Sequence, residues 1–209
     1  MLNRRLTTRL SAWASRGRLL STCTTVKPSS SAERQLALPL SFITVKGKDD
    51  IANWRHWTTR AADRGFESLV IELDSDSGDT TTRQGLAAYE SELTKVLRES
   101  SGSPFPPVLL ASGEATLVAE TYVSSHPLSG LFLHEPVLLK GLPRDLEFTY
   151  EPLFPVGLLS QSVEQLRQDT RLGLEWYEGD DDGFVALMEG TRDDKGWRQF
   201  LSWLDRSGL

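Results

Sequence analysis

Val108-Leu-Leu-Ala-Ser-Gly-Glu-Ala-Thr-Leu-Val-Ala-Glu-Thr-Tyr-Val-Ser-Ser-His-Pro-Leu-Ser-Gly-Leu-Phe-Leu-His134 is the stretch on which the fold of this chain turns. Its first four residues are an apolar run of strand formers, opened by the pair Pro106-Pro107. The small residues Ala111-Ser112-Gly113 then make a turn. Leu117, Val118, Thr121 and Tyr122 recur at helical spacing after it, and a second turn over Pro127 to Gly130 leads into the apolar run Leu131 to Leu133. Strand, tight turn, helix and strand make a βαβ unit with a parallel crossover. In such units ligands gather at the carboxyl ends of the strands, so chemistry is expected around residues 111–115.

The alternation continues in both directions. Upstream, Leu40 to Val45 reads as a strand ending at Lys46-Gly47. A helix over 51–64 follows, with Ile51, Trp54, Trp57 and Ala61 on one side and Gly65 as its stop. Ser68 to Leu73 reads as the next strand, ending at Asp74. Thr82 to Glu99 reads as a helix with Leu86, Tyr89, Leu93, Val96 and Leu97 on its apolar stripe. Downstream, Pro155 to Leu159 and Leu172 to Tyr177 are strand candidates. Trp197 to Leu204 fits a closing helix with Trp197, Phe200, Leu201 and Leu204 on one face. The pattern predicts an α/β domain: a mostly parallel sheet of about six strands flanked by helices.

The stretch 108–136 resembles the nucleophile-elbow region of the α/β-hydrolase family, in which G-x-S-x-G sits on a sharp strand-to-helix turn. In that family the helix commonly runs into a His-Pro turn and a strand ending in Asp-Pro; here stand His126-Pro127 and His134-Glu135-Pro136. Registered on those markers, Ala111 and Ala115 fall at the two glycine positions and Gly113 at the nucleophile. The likeness extends upstream, through Val45-Lys46-Gly47 where the family carries His-Gly, Trp54, Ala62-Asp-Arg-Gly-Phe66 and Ile71-Glu-Leu-Asp74. It implies a minimal hydrolase-like sheet with little or no lid, since only Val137 to Phe154 separate the elbow unit from the next strand. It also implies an acid within Ser160 to Glu164, with Glu164 the candidate and Asp169 a more distant one, and a histidine after Tyr177. None follows His134.

At the elbow itself, glycine has no oxygen with which to attack. Ser112 precedes the apex and reads as a turn-capping hydroxyl, with a nucleophilic role as the alternative. Glu114 reads as a capping carboxylate at a helix N-terminus, against an acid–base role. His134 ends a strand on the ligand side and is a candidate site residue together with Glu164. His126 in a surface turn reads as structural, and His56 as a solvated mid-helix residue. No Cys/His set has zinc spacing, Asp180-Asp-Asp182 lacks the glycine and glutamate of a calcium loop, and no Gly-rich nucleotide motif is present, so no metal or cofactor is expected. Trp54, Trp176 and Trp197 read as core, and Trp57 and Trp203 as candidates for a binding surface.

Residues 1–32 hold Arg4, Arg5, Arg9, Arg16, Arg18 and Lys27 and no acid, with Leu2, Leu6, Leu10 and Trp13 near one helical face. This matches a mitochondrial transit peptide, with cleavage expected between 19 and 32 and a linker over 24–33. The domain itself is assigned to residues 33–209. That remainder carries 17 basic against 29 acidic residues, a net −12, which argues against general nucleic-acid binding. Cys23, the sole cysteine, falls in the tail, leaving the domain without a thiol. No apolar run approaches the roughly 20 residues that span a bilayer. The expectation is a matrix protein without triad chemistry that binds other mitochondrial proteins as an assembly or complex-subunit module; the alternative is an unconventional esterase or thioesterase.

Overall fold

The computed structural model describes residues 21–48, 54–74, 79–100, 102–138, 142, 146, 148, 153–168 and 185–209. Seven strands form one sheet: β1 (Thr22–Val26), β2 (Leu36–Val45), β3 (Phe66–Leu73), β4 (Val108–Ser112), β5 (Gly130–His134), β6 (Val156–Ser160) and β7 (Val185–Glu189). Their order is β1-β3-β2-β4-β5-β6-β7, and every pairing is parallel except that of β1 with β3. Five helices accompany them: α1 (Arg55–Arg64), α2 (Arg83–Ser100), α3 (Ala115–Val123), α4 (Val163–Arg167) and α5 (Asp194–Arg206). The parallel α/β sheet expected from the alternation is what forms.

Central strands β4 and β5 are buried along their whole length. That is why they read as unbroken apolar runs rather than alternating ones. Successive side chains go to opposite faces and build two cores. On one face Ile43, Val45, Ile71, Leu109 and Leu131 meet Leu86, Tyr89 and Leu93 of α2 and Leu117 and Val118 of α3. On the other, Phe42, Leu110 and Phe132 meet Trp54 and Trp57 at α1 and Trp197, Phe200 and Trp203 of α5. Trp57 is the hub there, with ring centroids 5.3 Å from Trp197 and Phe200, 5.6 Å from Trp54 and 5.7 Å from Phe132. Such pairs add about 0.5–1.5 kcal/mol each beyond area burial.

Local chemistry fixes the turns. Gly65 ends α1 at φ +94°, and its N–H bonds to Ala61 and Ala62 carbonyls. A Cβ there would stand 1.9 Å from the Arg34 carbonyl oxygen, so only glycine fits. Pro39 lies within β2, but β4 pairs only with Leu40 to Ile43, so the missing N–H falls beyond that ladder.

Several sequence readings give way. Residues 24–33 read as a linker, yet Thr22 to Val26 pair residue for residue with Ser68 to Glu72. Cys23 is therefore a half-buried member of the sheet, packed against the α2-side core, with its thiol pKa pushed up by burial. Trp57 and Trp203, read as surface candidates, are 0% and 2% exposed. The strand read over Leu172 to Tyr177, Trp176 and Asp169 lie outside the described residues. The strand that pairs with β6 on its far side from β5 is Val185–Glu189, a stretch to which no element was assigned from sequence. Among the described residues no helix is long and apolar enough to cross a membrane.

Candidate functional site

β4 ends at Ser112, the chain turns at Gly113 with φ +55°, and α3 begins at Ala115. The turn is pinned from both sides. Gly113 N–H donates to the His134 carbonyl at 3.2 Å, and the Gly113 carbonyl accepts from Thr116 N–H at 3.1 Å and Thr116 Oγ1 at 2.6 Å. The strand–turn–helix of the elbow stretch is therefore present, with its tight backbone at Gly113.

Parallel register places Ser112 opposite His134 at the ends of β4 and β5. Ser112 Oγ lies 3.2 Å from His134 Nδ1, and the two residues are 2% and 6% exposed. The serine therefore does not cap the turn, as expected from sequence, but is an inward hydroxyl bonded to an imidazole. Burial, and second the Arg192 guanidinium, push the His134 pKa down to about 3. The ring is neutral at physiological pH, and its basicity lies more than about three decades below that of an ordinary histidine. His134 Nε2 is buried with no hydrogen-bond partner among the described residues. Arg192, in the turn after β7, lies over the Trp54 ring at 4.8 Å.

Glu114 stands at the N-cap position of α3 but makes no side-chain cap hydrogen bond, which corrects the capping reading. Its carboxylate accepts the Thr80 hydroxyl and pairs with Lys48 Nζ at 3.1 Å. Lys48 follows Gly47 after β2, so an ion pair ties that loop to the elbow. Two residues before Lys48, Lys46 Nζ lies 2.6 Å from Asp74, whose carboxylate holds the ammonium pKa above its ordinary value.

Glu164 is exposed in the first turn of α4. Beside the end of β6 the structure instead holds Glu135, which accepts from Ser160 Oγ at 2.9 Å and Gln161 N–H at 2.7 Å. Segment 160–164, expected to supply an acid, supplies donors to one instead. Glu135 has φ +46°, alone among described non-glycine residues in being positive. The Glu135-Pro136 pair after an apolar run was its sequence signal. Nothing local marked Arg192, Lys48 or Thr80. His126 stacks on Tyr122, with centroids 4.3 Å apart, and His56 bonds Asp194 at 2.8 Å.

No group of three or more His, Cys, Asp or Glu able to hold a metal ion occurs among the described residues. Two cavities lined by described residues lie elsewhere. One, of about 660 Å³, borders Glu90, Thr94, Arg98 and His126, and another, of about 700 Å³, borders Arg34, Leu36, Phe66 and Leu204.

Among solved structures, the chain is similar to Thermogutta terrifontis esterase 2 phosphonylated by sarin, at 15% identity over 90% of each chain with a TM-score of 0.59. It is similar to an α/β-hydrolase enzyme from the metagenome of sediments of the Mar Chica lagoon in Morocco, at 10% identity over 94% of this chain and 99% of that one, with a TM-score of 0.60. A membrane phospholipase A, a bacterial virulence factor, matches at 12% identity over 90% and 84%, with a TM-score of 0.58. No family model and no curated protein matches the sequence. At such identities it is the fold that is shared, and the chain has the α/β-hydrolase fold.

Proposed function

We propose that this chain is an α/β-hydrolase-fold protein that works without triad chemistry, as a binding, assembly or complex-subunit module for other mitochondrial proteins. The observation that carries the reading is Gly113 at the apex of the elbow: the backbone turn is retained, and the residue on it has no nucleophile. Further support comes from the neighbouring hydroxyl. A serine attacks efficiently only when a base in reach takes its proton. Ser112 is buried, and the imidazole it touches is held neutral with a pKa of about 3. The sequence contains no histidine after His134 to act in its place. The basic, acid-free residues 1–32 support mitochondrial import.

The Ser112–His134 contact also favours one competing reading, an unconventional esterase or thioesterase that uses this pair. A fluorophosphonate probe and short-chain nitrophenyl esters separate the two. The proposal expects no covalent labelling and no hydrolysis above the buffer rate. Labelling that disappears in Ser112→Ala supports the esterase and overturns the proposal.

A further inference from the structure

The cavity of about 700 Å³ lies at the opposite end of the sheet from the elbow, beside Leu36 and Phe66, the first residues of β2 and β3. The pairing of β2 with β3 shifts register between Leu36 and Leu40, and β4 joins β2 only from Leu40. Leu36, Ala37 and Leu38 therefore run out beyond the regular ladder, and the cavity opens beside them, walled by the end of α1 and by α5. Its apolar lining is Leu36, Leu38, Phe66, Leu201, Leu204 and Leu209, and four of these (Leu36, Leu38, Leu201 and Leu209) are only half-buried. A concave site of this size, with an apolar lining and a few polar groups, is the usual form of a small-molecule pocket.

The polar groups at its border narrow the chemistry. Arg34 and Arg64 come from backbones in contact, since Leu36 N–H donates to the Gly65 carbonyl at 2.8 Å and the Arg34 carbonyl lies against Gly65. Glu33, Asp63 and Asp205 border the same cavity. None of these five side chains makes an ion pair among the described residues. We propose that the cavity binds a short apolar peptide with both ends free, of two or three residues. Its terminal carboxylate meets Arg34 and Arg64, whose planar forks match a carboxylate. Its terminal ammonium meets the carboxylates, Asp205 of α5 first among them, and its side chains lie on the leucines. Complementarity to the whole lining sets this occupant apart. A fatty acid would leave three carboxylates facing an anion, and an aliphatic amine would leave two guanidiniums facing a cation. A zwitterion answers both signs and, having no net charge, is not repelled by the −12 of residues 33–209. The cavity is separate from the elbow, so the inference stands whether or not the chain is an esterase.

The test is calorimetric titration of the full-length chain with the dipeptide of leucine. Three controls run beside it: the same dipeptide acetylated and amidated, decanoate, and decylamine. The proposal expects saturable binding of the free dipeptide, with each control about tenfold or more weaker, because each lacks at least one charge-assisted contact. Arg34→Ala combined with Arg64→Ala should weaken the dipeptide about fivefold or more, and so, separately, should Asp205→Asn. Both variants should keep the parent's melting temperature, because all three side chains are exposed. Absence of saturable dipeptide binding overturns the proposal, and so does any control that binds as tightly as the free dipeptide. Dipeptide binding that either variant leaves intact overturns it as well, since such binding lies elsewhere or uses other groups.

Discussion

At φ +55°, Gly113 adopts a backbone that costs a residue with a Cβ about 1–2 kcal/mol. Gly113→Ser should unfold at lower denaturant, by about 1 kcal/mol, and gain no esterase activity, since His134 is too weak a base and no other histidine follows it. A variant as stable as the parent that hydrolyses nitrophenyl esters would show both arguments wrong. His134 supplies a prediction with a sign. Its pKa falls from 6.5 unfolded to about 3 folded, so between those values the unfolded chain binds the extra proton. Its contribution is intact above pH 6.5 and is lost as pH falls toward 3, at about 1.4 kcal/mol per pH unit. Urea melts of the parent and His134→Leu between pH 7 and 5 should show the variant's shallower decline; parallel curves would exclude a neutral buried imidazole. The Lys48–Glu114 pair is weaker. Its side chains are 46% and 31% exposed, so a double-mutant cycle should return roughly 0.5 kcal/mol that fades in high salt.

Elements are held by shape more than by charge. On β6, Gly157 lies under the Phe132 ring, and a Cβ there would stand 2.6 Å from Phe132 Cδ2. Phe132 is itself packed against Trp57, Phe200 and Trp203, so it has little room to yield. Gly157→Ala should therefore cost about 1–3 kcal/mol by overpacking, and tryptophan fluorescence should report the disturbed aromatic layer. An unchanged melting curve and spectrum would mean that the layer is looser than these distances imply. The start of α5 is fixed differently: Asp193 accepts from Lys195 and Gly196 N–H at 2.9 Å, and those backbone bonds hold its pKa below the usual carboxylate range.

For the whole molecule, the presequence proposal and the sheet constrain one another. A reporter carrying residues 1–32 should enter mitochondria and should stay in the cytosol when Arg4, Arg5 and Arg9 become Glu; import of the charge-reversed fusion would defeat the assignment. Processing is expected upstream of Ser21. The Ser21 hydroxyl and the Asp74 backbone exchange hydrogen bonds at 3.3 and 3.1 Å, and the next five residues are β1. N-terminal sequencing of the mature protein checks this. A cut beyond Val26 would remove an edge strand and should lower the melting temperature by roughly 5 °C relative to a chain beginning at Ser21.

What the sequence by itself determined was whatever local periodicity and turn chemistry encode. The runs Val108–Ala111 and Leu131–Leu133, the stripe of α2 and the stop at Gly65 carry their own signals, because fully buried parallel strands and amphipathic helices impose composition over a few residues. The turn at Gly113 was legible for the same reason, while its place as the elbow apex came from the resemblance to the α/β-hydrolase family. Strand β1 was not: Thr-Cys-Thr-Thr-Val next to Pro28 and a serine run has no pattern apart from the β3 edge that receives it, and β-propensity is largely context. Nor could local reading show that Trp57 and Trp203 are interior, since helical spacing gives a face but not what covers it. The cluster at the strand ends belongs wholly to tertiary structure. Ser112 and His134 are 22 residues apart and meet only because β4 and β5 lie side by side in register, while Arg192 and Lys48 arrive from opposite ends of the chain. The depressed pKa of His134 is set by burial and by the field of Arg192, and both exist only once the sheet has closed over them.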